Sequence, residues 1–369
     1  MLVFMEEAMR NPFLSYLKEE KSEYLSSVCS LNKAVLKKLP LYGIDDTLEG
    51  KTFREIFSTQ LIVDEIKKAA YDYNVDISSF DDNMLPKLLD RALISEDIKY
   101  NRLGERIATK FGDRLGLLLL ALKLGEKENR KARPDWNDEH WEYWSNLDTV
   151  IFVGGLASSM LGRRFKERIQ HIFDKAKVKP YNIMLFDNAT YVGVMGCAKL
   201  MSDNTTSLVF DFGHTNLKRC IITKGVSEIT HFIALESVKS KYVGKIKDGE
   251  DGWEAALLLH KHLVKTITDT YKKYNEKYVL SREIVISIAN YNAGGVLNSE
   301  RGGYAKLTEL GNDYQKILSE DLSSVLHKRV KVRLVHDGTA NALYFTDIEN
   351  SVCISLGTAF GVGFTDIKM

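Results

Sequence analysis

The sequence has few cysteines, little proline and no excess of charge of either sign, and each absence excludes a class of protein. Lysine and arginine number 51 against 50 for aspartate and glutamate, so the chain lacks the basic surface that nucleic-acid binding needs. The four cysteines are scattered, and no two have the spacing of metal ligands; they are Cys29, Cys197, Cys220 and Cys353. Scattered cysteines in apolar surroundings are typical of reduced, buried thiols. We therefore expect a cytoplasmic protein that binds no nucleic acid.

Long apolar segments are also missing. The longest apolar run, Leu115 to Leu122, is far shorter than the roughly 20 residues that a membrane-spanning helix needs. The N-terminal segment carries Glu6 and Glu7 where a signal peptide would need an apolar core. The sequence therefore predicts no membrane partner. At 369 residues the chain is too long for one compact core, so we expect two domains.

The pattern of apolar residues changes near residue 149. Residues 1 to about 148 read as mostly helical, with apolar residues at helical spacing in 58–73 and 102–123. Short apolar runs then alternate with helical patterns, which indicates an α/β layer structure. The predicted strands are 149–153, 182–186, 208–212, 220–223, 284–289, 330–335 and 352–356. The predicted helices are 160–175, 191–201, 251–274 and 312–326, and the polar segment 201–207 is interpreted as a linker.

The first motif that could carry chemistry is a predicted strand, turn and strand over 208–222. Gly213 lets the backbone approach an anion because it has no Cβ, and the N–H groups of such a turn form an anion-binding concavity. Thr215 and Asn216 add side-chain donors. Asp211, at the strand end, is placed to hold a water of a hydrated Mg²⁺. The alternative is an ordinary β-hairpin with a polar turn.

A second glycine-rich turn follows the predicted strand 352–356. Gly357, Gly361 and Gly363 lie within seven residues, which is costly in a strand unless the backbone must approach a ligand. Thr358 adds a hydroxyl. This segment is interpreted as a second phosphate-binding loop, and a glycine-rich hairpin is the alternative.

Two further motifs lie at the ends of predicted strands. Asp337 stands where a buried strand becomes a helix and could act as a general base toward an attacking hydroxyl; a helix N-cap is the alternative. His336 precedes it. Gly154 and Gly155 follow the strand 149–153 and could make room for a flat ring such as adenine; a tight strand-to-helix turn is the alternative.

Together these motifs resemble the superfamily of actin, the heat-shock chaperone ATPases and the sugar kinases. The similarity is greatest to the hexokinase and bacterial glucokinase (ROK-like) branch. Asp211-Phe-Gly-His-Thr-Asn-Leu-Lys218 resembles that branch's Asp-x-Gly-Gly-Thr-Asn-x-Arg, and His336-Asp337-Gly-Thr resembles the Asn-Asp-x-x motif with its catalytic aspartate. Leu356-Gly-Thr-Ala-Phe-Gly-Val-Gly resembles the second phosphate loop, and Val153-Gly-Gly the adenosine motif.

The resemblance implies a fold of two actin-like (RNase H-like) domains with an interdomain cleft. The motif order differs from the family's, because the adenosine motif comes first, so the chain reads as a circular permutation with a helical N-terminal region. The implied domains are a nucleotide domain, 1–200 completed by 346–369, and a phosphate and substrate domain, 208–345. We expect the strands through Phe210, Ile288 and Leu334 in one sheet. Those through Val153, Leu185 and Leu356 are expected in the other.

The resemblance also implies the ligands. ATP and Mg²⁺ are the expected cofactors, and Lys218 joins the residues that bind phosphate. His336, Asn290, Asn292 and Arg301 are expected to contact a sugar-like substrate. His214 replaces a family glycine and would crowd the phosphate loop unless its side chain points to solvent or to phosphate. The branch's Glu-x-Gly-His motif and cysteine-rich zinc segment are absent.

The sequence therefore predicts a sugar kinase, a phosphotransferase that acts on a small-molecule hydroxyl. Two alternatives stay open. One is an ATP-hydrolysing switch of the actin or chaperone type, in which the same residues would activate water. The other is a non-catalytic sugar sensor of the same fold. A homodimer also remains open.

Overall fold

The computed structural model describes residues 10–18, 21–157, 159–186, 189–300 and 302–369. By packing, the chain divides into two compact units. The first unit contains Val28–Thr190 and Asn350–Val362 together with residues 10–13. The second unit contains Leu14–Ser27, Tyr191–Glu349 and Gly363–Met369. In the described part of the chain, no helix combines the length and the apolar character needed to cross a membrane.

The helices and strands are numbered here in chain order. The helices are α1 (Phe53–Ile56), α2 (Thr59–Tyr73), α3 (Leu85–Leu93), α4 (Ile98–Leu124), α5 (Lys127–Lys131), α6 (Asp138–Asn146), α7 (Ser159–Ala176), α8 (Val192–Ala198), α9 (Gly252–Tyr278), α10 (Tyr314–Leu326) and α11 (Asp337–Leu343). The strands are β1 (Leu14–Leu17), β2 (Ser22–Leu25), β3 (Thr149–Val153), β4 (Asn182–Leu185), β5 (Thr205–Phe212), β6 (Asn216–Lys224), β7 (Ile229–Lys239), β8 (Glu283–Ile288), β9 (Asn292–Ala293), β10 (Val296–Leu297), β11 (Lys331–His336), β12 (Ser351–Ser355) and β13 (Gly361–Phe364). The protein is therefore of the α/β class, as predicted.

The second unit is built on a mixed sheet of five strands in the order β11-β8-β5-β6-β7. Strands β5, β8 and β11 are parallel, and β6 and β7 continue the sheet with antiparallel pairing. Because the sequence over Glu283–Ile288 is a nearly continuous apolar run, it suits a central strand covered on both faces.

The two faces of this sheet bury different clusters, because successive side chains of a strand point to opposite faces. Phe210, Phe212 and Ile286 face a cluster that α9 and α10 complete. Val209 and Val285 face a second cluster that α8 and α11 complete. Each fully buried large apolar side chain contributes roughly 2 kcal/mol to stability, so both faces hold the sheet in place.

Strands β12, β3 and β4 of the first unit belong to a four-stranded sheet in the order β13-β12-β3-β4. Strands β12, β3 and β4 are parallel, and all five residues of β3 are buried. Helices α4 and α7 pack closely because Gly112 has no side chain; a Cβ there would lie 2.6 Å from the Cβ of Arg168. The guanidinium of Arg168 also pairs with Asp113 of α4 at 2.7 Å.

The predicted division of strands between the two sheets is confirmed. Strands β5, β8 and β11 share one sheet, and β3, β4 and β12 share the other. The linker prediction is wrong at its end, since β5 begins at Thr205 and Ser207 is buried. The packing division falls at Thr190, ten residues before the predicted domain end, because α8 packs on α11 and β8.

The N-terminal region is not purely helical. Strands β1 and β2 form an antiparallel hairpin, and 3-10 turns occupy Ser27–Cys29, Leu31–Lys33 and Asp46–Leu48. Each strand has only four residues, which is too short for the alternation of apolar and polar residues to be recognised.

Candidate functional site

The second unit gathers polar side chains at the edge where its three parallel strands end. The strand register aligns Phe212 of β5 with Ile288 of β8, and Ile288 with His336 of β11. Asp211 and Ser287 are paired one residue earlier, and Asp337 follows His336. The carboxyl edge of parallel strands is the usual position for a ligand site in an α/β sheet. This arrangement brings together Asp211, His336 and Asp337, which the sequence motifs singled out separately.

Asp211 is held by two hydrogen bonds. The Ser287 hydroxyl donates to Oδ1 at 3.0 Å, and Lys218 Nζ donates to Oδ2 at 2.8 Å. Lys218 lies directly opposite on β6. Burial by itself would lower the pKa of Lys218, but the Asp211 carboxylate raises it above the ordinary value. The ammonium is therefore charged at neutral pH, and it compensates and orients the carboxylate.

The predicted phosphate loop is the short turn between β5 and β6. The Gly213 carbonyl accepts hydrogen bonds from the Ser240 hydroxyl at 2.7 Å and from the Tyr304 hydroxyl at 2.9 Å. Thr215 and Asn216 are exposed. Two side chains from other segments therefore fix the turn while its predicted ligand-binding residues face solvent.

His214 does not need to crowd this turn. Its side chain is exposed, and its Nε2 accepts a hydrogen bond from the Gly303 N–H at 3.4 Å. Its ring meets that of Tyr304 edge-on, with centroids 6.2 Å apart. The side chain of His214 is therefore directed to solvent, which is one of the two orientations that keep it from crowding the loop.

Asp337 is the first residue of α11, and the residue before it caps the helix. His336 is the N-cap, because its Nδ1 accepts a hydrogen bond from the Thr339 N–H at 3.2 Å. The Asp337 Oδ1 accepts from the Gly338 N–H at 2.8 Å. The alternative that Asp337 serves as the cap is therefore wrong, and its carboxylate is available for another role.

The carboxyl of Asp337 is unusually basic. Although 32% of its side chain is accessible, surrounding protein desolvates the carboxylate, and the nearby charge of Asp211 adds to this effect. Together they raise the pKa of Asp337 from 3.8 to about 6. Burial lowers the pKa of His336 to about 3, so its imidazole is neutral at physiological pH. Because Nδ1 accepts a hydrogen bond, the proton is assigned to Nε2, which lies 3.1 Å from Asp337 Oδ1.

The two amides predicted to contact substrate, Asn290 and Asn292, are hydrogen-bonded to backbone. Asn290 donates to the Asn298 carbonyl at 3.1 Å and accepts from its N–H at 2.9 Å. With its amide in the satisfied orientation, Asn292 accepts from the His336 N–H at 2.9 Å and donates to the Leu334 carbonyl at 3.3 Å. Both amides shape the site, and their contact with a substrate stays a prediction. Arg301 lies outside the described residues.

The two glycine-rich turns predicted to contact the nucleotide lie side by side in the first unit. Val153, which ends β3, pairs with Ser355, which ends β12. The turn at Gly154 therefore lies beside the loop that follows β12. Gly154 has φ +92°, and a Cβ there would lie 2.6 Å from the Leu356 carbonyl oxygen. Only glycine fits at this contact. Gly155 has no atom within 4 Å of its Cβ position.

Hydrogen bonds to other segments hold the loop after β12 at both of its ends. The Gly357 carbonyl accepts from the N–H of Thr59, at the start of α2, at 3.0 Å. Asn32 exchanges two hydrogen bonds with the backbone of Phe360, at 2.8 and 2.9 Å. Gly361 donates to the Ser355 hydroxyl at 3.2 Å, and Thr358 is exposed. This anchoring leaves the tip of the loop presented to solvent.

Sequence reasoning missed three residues that support the site of the second unit. They are Ser287, whose hydroxyl donates to the Asp211 carboxylate; Ser240, whose hydroxyl donates to the Gly213 carbonyl; and Tyr291, whose ring stacks on the His336 ring with centroids 4.1 Å apart. The alternation of side chains could have found Ser287, because it interrupts an apolar strand on the same face as Val285. No local pattern marks the other two.

The residues at this edge fit a hydrated Mg²⁺ that is also bound to the phosphates of a nucleotide. Such an ion needs one or two carboxylates and keeps several waters, and Asp211 and Asp337 are near enough to interact electrostatically. Each oxygen of Asp211 retains a second lone pair. Within the described ranges, no group of three or more His, Cys, Asp or Glu could hold a metal by itself.

Comparisons with known proteins add little to this description. No family model matches the chain, and no curated protein matches it. Among solved structures, the ethanolamine utilization protein EutJ from Carboxydothermus hydrogenoformans is similar to 62% of this chain and 75% of its own, with 17% identity and a TM-score of 0.31. At that TM-score the likeness assigns neither fold nor function.

Proposed function

We propose that the protein transfers the terminal phosphoryl group of ATP to a hydroxyl of a small, sugar-like molecule, with Asp337 as the general base. The observation that carries the proposal is the position of Asp337 at the carboxyl edge of three parallel strands, with its Oδ1 3.1 Å from His336 Nε2. A general base is most effective when its pKa lies near the working pH. A pKa of about 6 leaves the carboxyl ionised at pH 7 and basic enough to accept a proton in the transition state.

The proposed step is an in-line displacement. The acceptor oxygen forms a bond to the γ-phosphorus while the bond between that phosphorus and the bridging oxygen breaks, and ADP leaves. The hydroxyl proton moves to the Asp337 carboxylate. His336, neutral and with its proton on Nε2, is a hydrogen-bond donor beside the same carboxylate. Positioning supplies most of the rate in such a reaction.

Asp211 and Lys218 have a different role under this proposal. A bound Mg²⁺ would offset negative charge on the phosphates, and Asp211 would accept hydrogen bonds from its waters. Lys218 keeps Asp211 oriented when no ion is bound. The turn at Gly213 contributes backbone N–H groups. The glycines of the first unit, at 154, 155, 357 and 361, are proposed to contact the nucleotide on the strength of their motifs.

ATP hydrolysis by a switch protein is the second candidate, and one observation favours it. The amides of Asn290 and Asn292, expected to bind sugar, already bond to backbone. If no other group binds an acceptor, water takes its place, and Asp337 would accept a proton from water instead.

The test is ADP release by the purified chain with Mg²⁺ and ATP, measured alone and with a panel of sugars and nucleosides. A kinase releases ADP slowly alone and much faster with its acceptor. A rate that no acceptor changes, but that Asp337→Asn abolishes, supports the hydrolytic switch. Absence of ADP release with every compound contradicts both candidates.

A further inference from the structure

The first unit contains a cavity of about 750 Å³ that the proposed chemistry does not use. It lies at the amino ends of β3 and β4, where Asp148 and Asn182 contribute to its wall. The glycine turn at Gly154 lies at the opposite end of β3. A strand of five residues spans about 17 Å, so the cavity is separate from the predicted nucleotide loops. Its volume lies within the range of small-molecule sites.

The lining combines an apolar floor with cations from three segments. Leu147, Pro180 and Tyr181 supply apolar surface. Lys123 from the end of α4, Arg163 and Lys166 from α7, and Lys179 from the segment before β4 supply positive charge. Elements distant in sequence thus bring four cationic side chains to one cavity.

Cationic side chains outnumber acidic ones in this lining. The lining has two acidic residues against these four cations: Glu167 pairs with Arg164 at 2.8 Å, and Asp148, which accepts a hydrogen bond from Asn350 at 2.8 Å, also acts electrostatically on Lys123. In contrast, Arg163, Lys166 and Lys179 form no ion pair with any residue that the structure describes. The cavity is therefore positive overall.

Lys123 is the most deeply placed of the four cations. Its Nζ donates to the Leu147 carbonyl at 3.2 Å and lies 4.5 Å from the centroid of the Tyr181 ring. Burial lowers the pKa of Lys123, because a desolvated ammonium is unfavourable, and the nearby Asp148 carboxylate opposes this shift without cancelling it. An anion in the cavity would relieve this cost, which gives the site a physical reason to bind one.

We propose that this cavity binds a small organic anion with an apolar body, its carboxylate, sulfonate or phosphate group toward the lysines and its apolar part against Tyr181 and Leu147. The cationic rim selects the charge, and the apolar floor selects against fully hydrophilic anions. This site does not depend on the proposed phosphoryl transfer.

The test uses anilinonaphthalene sulfonate, which has the required chemistry, in fluorescence titrations of the intact chain. Lys166→Glu and Lys179→Glu each replace an exposed cation of the lining. Lys175→Glu makes the same change on an exposed residue of α7 that does not line the cavity. We expect the first two variants to bind about fivefold more weakly or worse, and the third to bind like the unmodified chain.

Two further readouts separate the cavity from nonspecific binding. Binding should weaken as salt increases, and the probe should protect Lys166 and Lys179, but not Lys175, from acylation measured by mass spectrometry. Unchanged near-ultraviolet circular dichroism establishes that each variant is folded. Equal affinity in all three variants, or no saturable binding to the unmodified chain, overturns the proposal.

Discussion

Replacing Asp337 by asparagine should make the protein less active and, at neutral pH, more stable. Asparagine keeps the shape of the side chain, and its Oδ1 can still accept the hydrogen bond from Gly338 N–H. The cap of α11 is unaffected because His336 provides it. What the substitution removes is a desolvated negative charge close to Asp211, together with the only group we assign as proton acceptor.

The sign of the stability effect follows from the pKa of Asp337. The folded protein raises it from 3.8 to about 6, so the folded state binds the proton more tightly than the unfolded state does. The resulting penalty is absent below pH 3.8, grows as the pH rises toward 6, and is complete above 6. This difference in pKa corresponds to at most ~3 kcal/mol. Since a third of the side chain is accessible, screening reduces the gain expected for the variant at pH 7 to on the order of 1 kcal/mol.

Two assays check this prediction. Urea unfolding of both proteins between pH 4 and pH 8 should show the variant gaining relative stability up to about pH 6 and no further. ADP release should fall by about 10²-fold or more, the usual contribution of a general base. The activity of the unmodified protein should rise with pH through about 6, and the residual activity of the variant should not.

Either of two results would refute the reasoning. Near-normal turnover in the variant would mean that Asp337 is not the base. A variant less stable at pH 7 than the unmodified protein would mean that the carboxylate makes favourable contacts in the folded state.

Three other substitutions test the remaining assignments. Asp211→Asn should weaken binding of a Mg²⁺–ATP analogue about tenfold or more, measured by calorimetry, and should lower the free energy of unfolding by about 1–3 kcal/mol because Lys218 loses its partner; unchanged affinity contradicts the metal assignment. Gly154→Ala should destabilise the fold by about 1–3 kcal/mol in urea, while Gly155→Ala should stay within about 0.5 kcal/mol; equal effects would contradict the contact geometry. His336→Asn should keep the cap and alter unfolding by less than about 1 kcal/mol, and a larger loss would mean that the ring itself supports the site.

The parallel strands of both sheets were predictable because their sequences are unambiguous. Thr149–Val153 and Glu283–Ile288 are short apolar runs between polar segments, and strands buried on both faces have this pattern. Strand β7 was not predicted. It is the edge strand of its sheet, most of its residues are exposed, and its register with β6 shifts at Leu217 and Thr223. Because the strand is exposed and its register is irregular, its sequence lacks the alternation of apolar and polar residues by which a strand is recognised.

The candidate site was predictable at its acidic residues but not in its supporting contacts. Asp211 and Asp337 each follow an apolar run at a strand end, a position visible in sequence. In contrast, the hydrogen bonds of Asn292 to β11 and the stacking of Tyr291 on His336 join segments more than 40 residues apart. Sequence spacing carries no information about contacts between such distant segments, so these contacts could not be predicted.

The different partners of the two carboxylates explain how one strand edge can hold both. Asp211 has an ammonium at 2.8 Å and a hydroxyl at 3.0 Å, so its charge is compensated within the sheet. Asp337 has one backbone N–H and a neutral imidazole beside it, and Lys218 lowers its pKa less than burial and Asp211 raise it. Because Lys218 is committed to Asp211, and because His214 and Lys218 offset the effects of burial and Asp211 only in part, the proton affinity of the site is concentrated on Asp337. Separate environments of this kind give two like carboxyl groups distinct roles, which is why Asp211 is assigned to the ion and Asp337 to the proton.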